Sequence, residues 1–222
     1  MGTLLLDFDS TLVPVESLEL VLAAGVAGDR ARLREVEALT RLGMEGDLDF
    51  RASLEARLAI APPHRDTAHE VGLRLRDGLT HGAEACVGTL HEVGHVVRIV
   101  SGGLREVILP TAERLGIPPG HLHAVGVHWN AAGGFEGLIE DGFPDSKVEG
   151  VRALAERWPR PVVAVGDGAT DHALLAAGIA DVFVAFTGHI RRAFLDEADL
   201  TEVTEMDALR ELLLTLLARS RV

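Results

Sequence analysis

Three short apolar runs, each ending in acids, a hydroxyl or glycines, constrain the fold more than any other feature of the chain. Leu4-Leu5-Leu6 stops at Asp7, Val96-Val97-Arg98-Ile99-Val100 at Ser101-Gly102-Gly103, and Val162-Val163-Ala164-Val165 at Gly166-Asp167-Gly168. A fourth run, Val182-Phe183-Val184-Ala185-Phe186, follows. Runs this short and this uniformly apolar suit strands buried on both faces. Helix-like segments separate them: Glu84–Val93, Arg105–Leu115, Lys147–Arg157, Asp171–Ala177, Ile190–Leu195 and Met206–Leu217. Alternating strands and helices predict an α/β fold, a Rossmann-like parallel sheet with helices on both faces. Ligands of such sheets collect beyond the C-terminal strand ends, where all three acidic or glycine-rich tips fall.

Residues 14–77 read differently. They hold no strand-like run, and their apolar residues recur at helical spacing: Leu18, Val21 and Leu22; Leu33, Val36 and Leu39; Leu54 and Leu58; Val71 and Leu75. This predicts a small helical-bundle cap over residues 14–77, inserted after the first strand of an α/β core made of residues 1–13 and 78–222. Trp129 to Phe135, with Gly133-Gly134 inside it, predicts a hairpin turn.

Composition narrows the partners. A formal net charge of −13 disfavours a nucleic-acid binder, which needs cations against phosphates. It leaves a small phosphorylated substrate open, since local cations, backbone amides and a metal act at short range. The single cysteine, Cys86, excludes an intrachain disulfide and a cysteine-based zinc cluster, and its apolar helical setting predicts a core position. Asp7 and Asp9 interrupt the N-terminal apolar run too early for a signal peptide, and no stretch approaches the ~18 apolar residues of a membrane span. A cytoplasmic protein without membrane contact, monomer or homodimer, is the expectation.

Asp7-Phe8-Asp9 places two carboxylates on one side of an extended segment, where a cation must hold both ionised. Hard oxygen donors suit Mg²⁺; one carboxylate can attack phosphorus while the other handles protons. Alone, the same tripeptide is more often a turn with solvated acids. Ser101-Gly102-Gly103 offers a hydroxyl and backbone amides to an anion, or is merely a loop. Lys147 opens a helical stretch, and Gly166-Asp167-Gly168-Ala169-Thr170-Asp171 brings one acid to the ligand edge and a second four residues later. His121 and His123 would share a strand face but lack a third metal ligand. His172, His189 and Arg191 are placed near the site without a defined direction.

Taken in order, these four elements resemble the motifs of the haloacid dehalogenase superfamily of phosphatases: Asp-x-Asp-x-Thr, here ending at Thr11, then Ser101, Lys147 and Gly166–Asp171 with Thr170 inside it. Within the insert, Glu16 and Leu48–Leu58 are similar to segments of phosphoserine phosphatases, as are Gly166–Asp171 and Phe186–Arg191. That resemblance implies Asp7 as nucleophile, Asp9 as acid and base, and Mg²⁺ on Asp7, the Asp9 carbonyl and Asp167. It implies Ser101, Gly102, Gly103 and Lys147 around the phosphate, with Asp171 positioning Lys147 or the water ligands of the metal. It implies Glu16 on a substrate ammonium, Arg57 on its carboxylate and Met44 beside them. The expected activity is hydrolysis of phosphoserine. Another small phosphomonoester, transfer of the phosphoryl group to an alcohol, and a non-catalytic binding protein are the alternatives. Asp145-Ser146 before Lys147 departs from the glycine common in relatives, which alters the local turn but leaves the amine available.

Overall fold

The computed structural model describes residues 1–45, 48–197 and 200–218. Its centre is β1 (Thr3–Leu6), flanked by β2 (Val96–Leu104) and β6 (Val162–Gly166). With β3 (Leu122–Val125), β7 (Val182–Phe186) and β8 (Thr201–Val203) they form a six-stranded parallel sheet in the order β3-β2-β1-β6-β7-β8. Every residue of β1 and β6 is buried. That is why these strands are continuous apolar runs rather than alternating ones. The chain builds outward from β1 to β3, then restarts on the other side at β6. The strand order therefore reverses between β1 and β6, the kind of switch point at which ligands of such sheets collect.

The helices lie close to the positions that periodicity predicts. They are α5 (Ala83–Glu92), α6 (Arg105–Arg114), α7 (Lys147–Ala155), α8 (Ala169–Ala176) and α9 (Met206–Ala218). Two groups cover the sheet, α5 packing on α9 and α7 on α8. Between β1 and β2 come α1 (Ser17–Gly25), α2 (Arg30–Glu45), α3 (Phe50–Ile60) and α4 (Arg65–Asp77). Asp49 caps α3 by accepting from the Ala52 amide. The insert is seated on the core through α4 and α6, where a Cβ on Gly72 would lie 2.5 Å from the Val107 carbonyl oxygen. Only glycine permits that backbone approach. The hairpin is β4 (Val127–Trp129) with β5 (Phe135–Leu138), antiparallel, and its turn bonds to the insert: Arg65 N donates to Gly133 O and Phe135 N to Pro63 O. Among the described residues no helix is long and apolar enough to cross a membrane.

Three local differences from the sequence expectation have physical causes. Ile190–Leu195 does not form a helix; a short 3-10 turn occupies Ala193–Glu197 instead. The preceding arginines are drawn into separate ion pairs, Arg191 with Glu202 and Asp196, Arg192 with Glu16 and Asp167. Ser101–Gly103 belongs to β2, across a shift of register, and α6 begins only at Arg105. The short polar edge strand β8 carries no apolar run and has no period to read. His121 ends a 3-10 turn before β3, whereas His123 lies in β3, buried between Phe143 and Trp158 with Arg98 Nη1 at 3.1 Å. Burial first, and then the Arg98 charge, push the His123 pKa down to about 4. It is a neutral core histidine. Cys86 is buried as expected, and burial pushes its thiol up to about 11.

Candidate active site

The tips of β1, β2 and β6 meet the N-termini of α7 and α8 at the reversal point. Asp7 follows β1, its amide held by Val165 O of β6 at 2.9 Å. The chain then turns sharply through Phe8–Leu12, with Ser10 in the left-handed region at φ 52°. For a residue with a side chain this is strained, and the hydroxyl is engaged: Ser10 Oγ donates to Glu16 Oε1 at 2.9 Å. The two carboxylates take different partners, Asp7 bonding Lys147 and Asp9 bonding Ser17, while the Asp9 charge still acts on Asp7.

Asp7 faces the core. Its Oδ1 lies 2.6 Å from Lys147 Nζ, and the same ammonium is 2.6 Å from Asp171 Oδ1. Lys147, Asp7 and Asp171 are all buried. Burial opposes the lysine charge, but Asp171 and Asp7 outweigh it and hold the Lys147 pKa above its ordinary value. Burial and then Asp171 push Asp7 well above the usual carboxylate range, against the pull of Lys147. Asp171 is raised by burial too. Its second oxygen accepts from the Gly168 amide, which pins the start of α8. Carboxylate oxygens of Asp7, Asp167 and Asp171 all lie within 4.8 Å of one another. A dense set of buried carboxylates with one ammonium among them suits a hard divalent cation.

Asp9 faces the insert. Its oxygens accept from Ser17 N at 2.9 Å and Ser17 Oγ at 3.0 Å, at the first turn of α1. Burial, then the neighbouring Glu16 charge, raise the Asp9 pKa to about 7, against the bonds from Ser17. Such a group can both give and take a proton near neutrality.

Ser101 is buried, and its Oγ accepts from the Gly103 amide at 3.0 Å. The Phe50 ring of α3 covers Gly102: a Cβ there would come 3.1 Å from the ring. On Gly103 a Cβ would come 2.9 Å from Ser17 Oγ and 3.3 Å from Asp9 Oδ2. Both glycines are thus places of close approach between β2 and the insert.

Arg57 is buried on α3, its Nε donating to Ser53 O and its Nη1 3.4 Å from Thr40 Oγ1. Among the described residues it has no carboxylate within ion-pair distance, although Glu19 and Glu16 act on its charge through space. Burial pulls its pKa below the usual arginine value. Glu16 is held between Ser10 and Arg192. The Thr11 carbonyl accepts from Thr80 Oγ1, while its own hydroxyl is buried with no hydrogen-bond partner among the described residues. Thr170 is exposed on the first turn of α8. The Met44 side chain lies outside the described residues. Asp145 pairs with Arg51 at 3.0 Å, and Ser146 caps α7 through the Glu149 amide.

Arg192, Ser17 and Phe50 reach the site without having been singled out by the sequence. Arg192 Nη2 lies 2.7 Å from Asp167 Oδ2 and 2.9 Å from Glu16 Oε1, so it bridges core and insert. Arg191 points away, toward Glu202 and Asp196. Adjacent arginines in an irregular segment are indistinguishable by pattern. His189 Nε2 contacts Thr80 Oγ1 at 2.8 Å, and His172 packs on Phe183 and Phe194.

This geometry has relatives. The model of the haloacid dehalogenase-like hydrolases matches residues 4–176. Phosphoserine phosphatase of Bos taurus is 31% identical over 209 residues, covering 90% of this chain and 89% of its own. The crystal structure of a phosphoserine phosphohydrolase-like protein from Francisella tularensis superposes with a TM-score of 0.88 at 37% identity, covering 96% of this chain and 99% of that one. A structure of a phospho-aspartyl intermediate analogue of phosphoserine phosphatase superposes with a TM-score of 0.72 at 28% identity, covering 97% and 98%.

Proposed function

The chain belongs to the haloacid dehalogenase-like hydrolase family, and from that premise we propose that it hydrolyses O-phospho-L-serine to serine and phosphate through a phosphorylated Asp7. The observation that carries the reading is the buried Asp7 carboxylate bonded to Lys147 at the sheet edge, with Asp9 directed separately to Ser17. One carboxylate is thereby set for attack and the other for proton transfer. The relatives named phosphoserine phosphatase support the substrate, together with a buried arginine on the insert that lacks a carboxylate partner among the described residues.

In this mechanism an Asp7 oxygen attacks phosphorus as the bond to the serine oxygen breaks, and protonated Asp9 delivers its proton to the departing alkoxide. The resulting Asp9 carboxylate then takes a proton from water as that water attacks the phosphorus of phospho-Asp7, and phosphate leaves. Lys147 places fixed positive charge beside Asp7, and the Ser101 hydroxyl and Gly102 amide orient phosphate oxygens. The donor set fits a hard dication, taken as Mg²⁺ on Asp7, Asp167 and the Asp9 carbonyl, which when bound supplies charge neutralisation for the transferring group. Arg57 receives the substrate carboxylate and Glu16 its ammonium. The insert, α1 to α4, acts as the cap that excludes bulk water.

Phosphate release with Mg²⁺ over phosphoserine, phosphothreonine, phosphohomoserine, phosphoethanolamine and sugar phosphates tests the substrate. Asp7→Asn should abolish turnover and phosphoenzyme while the protein stays folded. Arg57→Ala should cost phosphoserine about 10- to 100-fold in kcat/KM, as for the loss of one charge-assisted contact of ~1.5–3 kcal/mol, and an aryl phosphate far less. Equal losses on both substrates would make Arg57 structural and remove the argument for an amino-acid substrate.

A further inference from the structure

Arg51 stands on the first turn of α3, next to Phe50, whose ring covers Gly102. Its guanidinium leaves the insert and grips the core. Nη2 lies 2.7 Å from Glu140 Oε1, and Nη1 lies 2.9 Å from Glu140 Oε2 and 3.0 Å from Asp145 Oδ1. Nε is bonded to Glu55 on its own helix at 2.8 Å, which fixes the fork in this orientation. Glu140 and Asp145 bracket one short loop, folded on itself by Asp145 and Ser146 amides donating to Gly142 O, with Gly142 at φ 91°. Lys147 follows that loop directly, and its ammonium holds Asp7.

From these contacts we infer that Arg51 is a positioning residue for the phosphoryl-transfer site, a clasp tying the cap helix α3 to the loop that presents Lys147. One turn of helix thus touches both halves of the proposed phosphate pocket, through Phe50 on the Gly102 side and Arg51 on the Lys147 side. Arg192 with Glu16 and Arg114 with Asp77 are further ionic joints between core and insert, and two joints are of a different kind. The α4–α6 seat is close backbone packing at Gly72, and the hairpin joint is main-chain hydrogen bonding with His64 Nε2 against Ala132 O. Salt scarcely affects such joints. The Arg51 clasp is exposed and ionic, so screening weakens it. Opening α3 for substrate entry or product release breaks the clasp and leaves the fixed joints in place. Removing Arg51 also takes this cation from Glu140 and Asp145, on the loop that leads into Lys147.

This inference rests on the phosphatase reading, and the experiment separates the two. Wild type, Arg51→Ala, Glu140→Gln and the double variant are compared in kcat and KM for phosphoserine at about 0.01 M and 1 M salt, where the screening length is roughly 30 and 3 Å. Each single change should raise KM about five-fold at low salt with kcat held within about two-fold, as for an exposed ion pair. The double variant should be no worse than Arg51→Ala, and the salt dependence of KM should be smaller in Arg51→Ala than in wild type, the remainder belonging to the charged substrate and the Arg192 pairs. Amide hydrogen exchange, which needs no turnover, should quicken in Phe50–Ile60 of Arg51→Ala while β1 and β6 stay protected. Additive losses, identical salt responses, or unchanged exchange in α3 would overturn the clasp. A wild type inactive on phosphoserine whose α3 exchange still depends on Arg51 would refute the substrate and keep the clasp.

Discussion

Replacing Lys147 by methionine preserves most of the side-chain volume and removes one charge from a group that is all but closed to solvent. The ammonium makes two contacts of 2.6 Å, to Asp7 and Asp171, whose side chains are 7% and 3% exposed. Deleting one partner of a buried ion pair typically costs about 3–5 kcal/mol, because the remaining charge is left uncompensated. Here two carboxylates lose their partner together, so the upper part of that range applies at alkaline pH. The pH dependence has a definite sign. Asp7 and Asp171 have raised pKa values in the folded protein, so the stability they contribute is complete below the unfolded value near 4 and is lost as pH rises through the folded values. Without Lys147 those folded values move higher still. Lys147, raised in its turn, keeps its contribution throughout this range and loses it only above the ordinary lysine pKa. The deficit of Lys147→Met should therefore shrink as pH falls and the buried carboxylates take up protons, and grow toward the upper part of the ~3–5 kcal/mol range at alkaline pH. Urea unfolding at a series of pH values with a chelator present, followed by circular dichroism, measures it. A deficit that does not change with pH would refute the coupling of this ammonium to the buried acids.

Other perturbations read separate parts of the site. Gly103→Ala drives a methyl to within 2.9 Å of Ser17 Oγ and 3.3 Å of Asp9 Oδ2; kcat should fall about ten-fold or more, equivalent to ~1.4 kcal/mol or more, with KM nearly constant. Steady-state kinetics beside a melting curve separates this from simple unfolding. Mg²⁺ should raise the melting temperature of wild type by preferential binding to the folded state, and Asp167→Asn should lose most of that shift. An equal shift in both proteins would move the metal away from Asp167.

Much of the architecture was legible because burial writes itself into composition. Strands covered on both faces must be apolar throughout, so Leu4–Leu6, Val96–Val100 and Val162–Val165 announced themselves, and the polar or glycine tips marked the ligand edge. The helical character of residues 14–77 was legible from apolar spacing, and α1 to α4 occupy that stretch; the Asp49 cap of α3 was seen only in the fold. The edge strand β8 was not, since three residues with two exposed carry no period. Ile190–Leu195 misled because its helical pattern competes with ion pairs to residues distant in the chain.

The site divides along the same line. Asp7, Asp9, Ser101, Lys147, Asp167 and Asp171 were singled out in the sequence by the order of four motifs that resemble those of the haloacid dehalogenase superfamily, each motif being weak by itself. Where each side chain turns was decided only by the tertiary fold. Asp7 meets Lys147 and Asp9 meets Ser17, Arg192 rather than Arg191 swings inward, and Arg51 finds Glu140 some 89 positions along the chain. Pattern records burial and period. The pairing of charges remote in sequence depends on which surfaces the finished packing brings together.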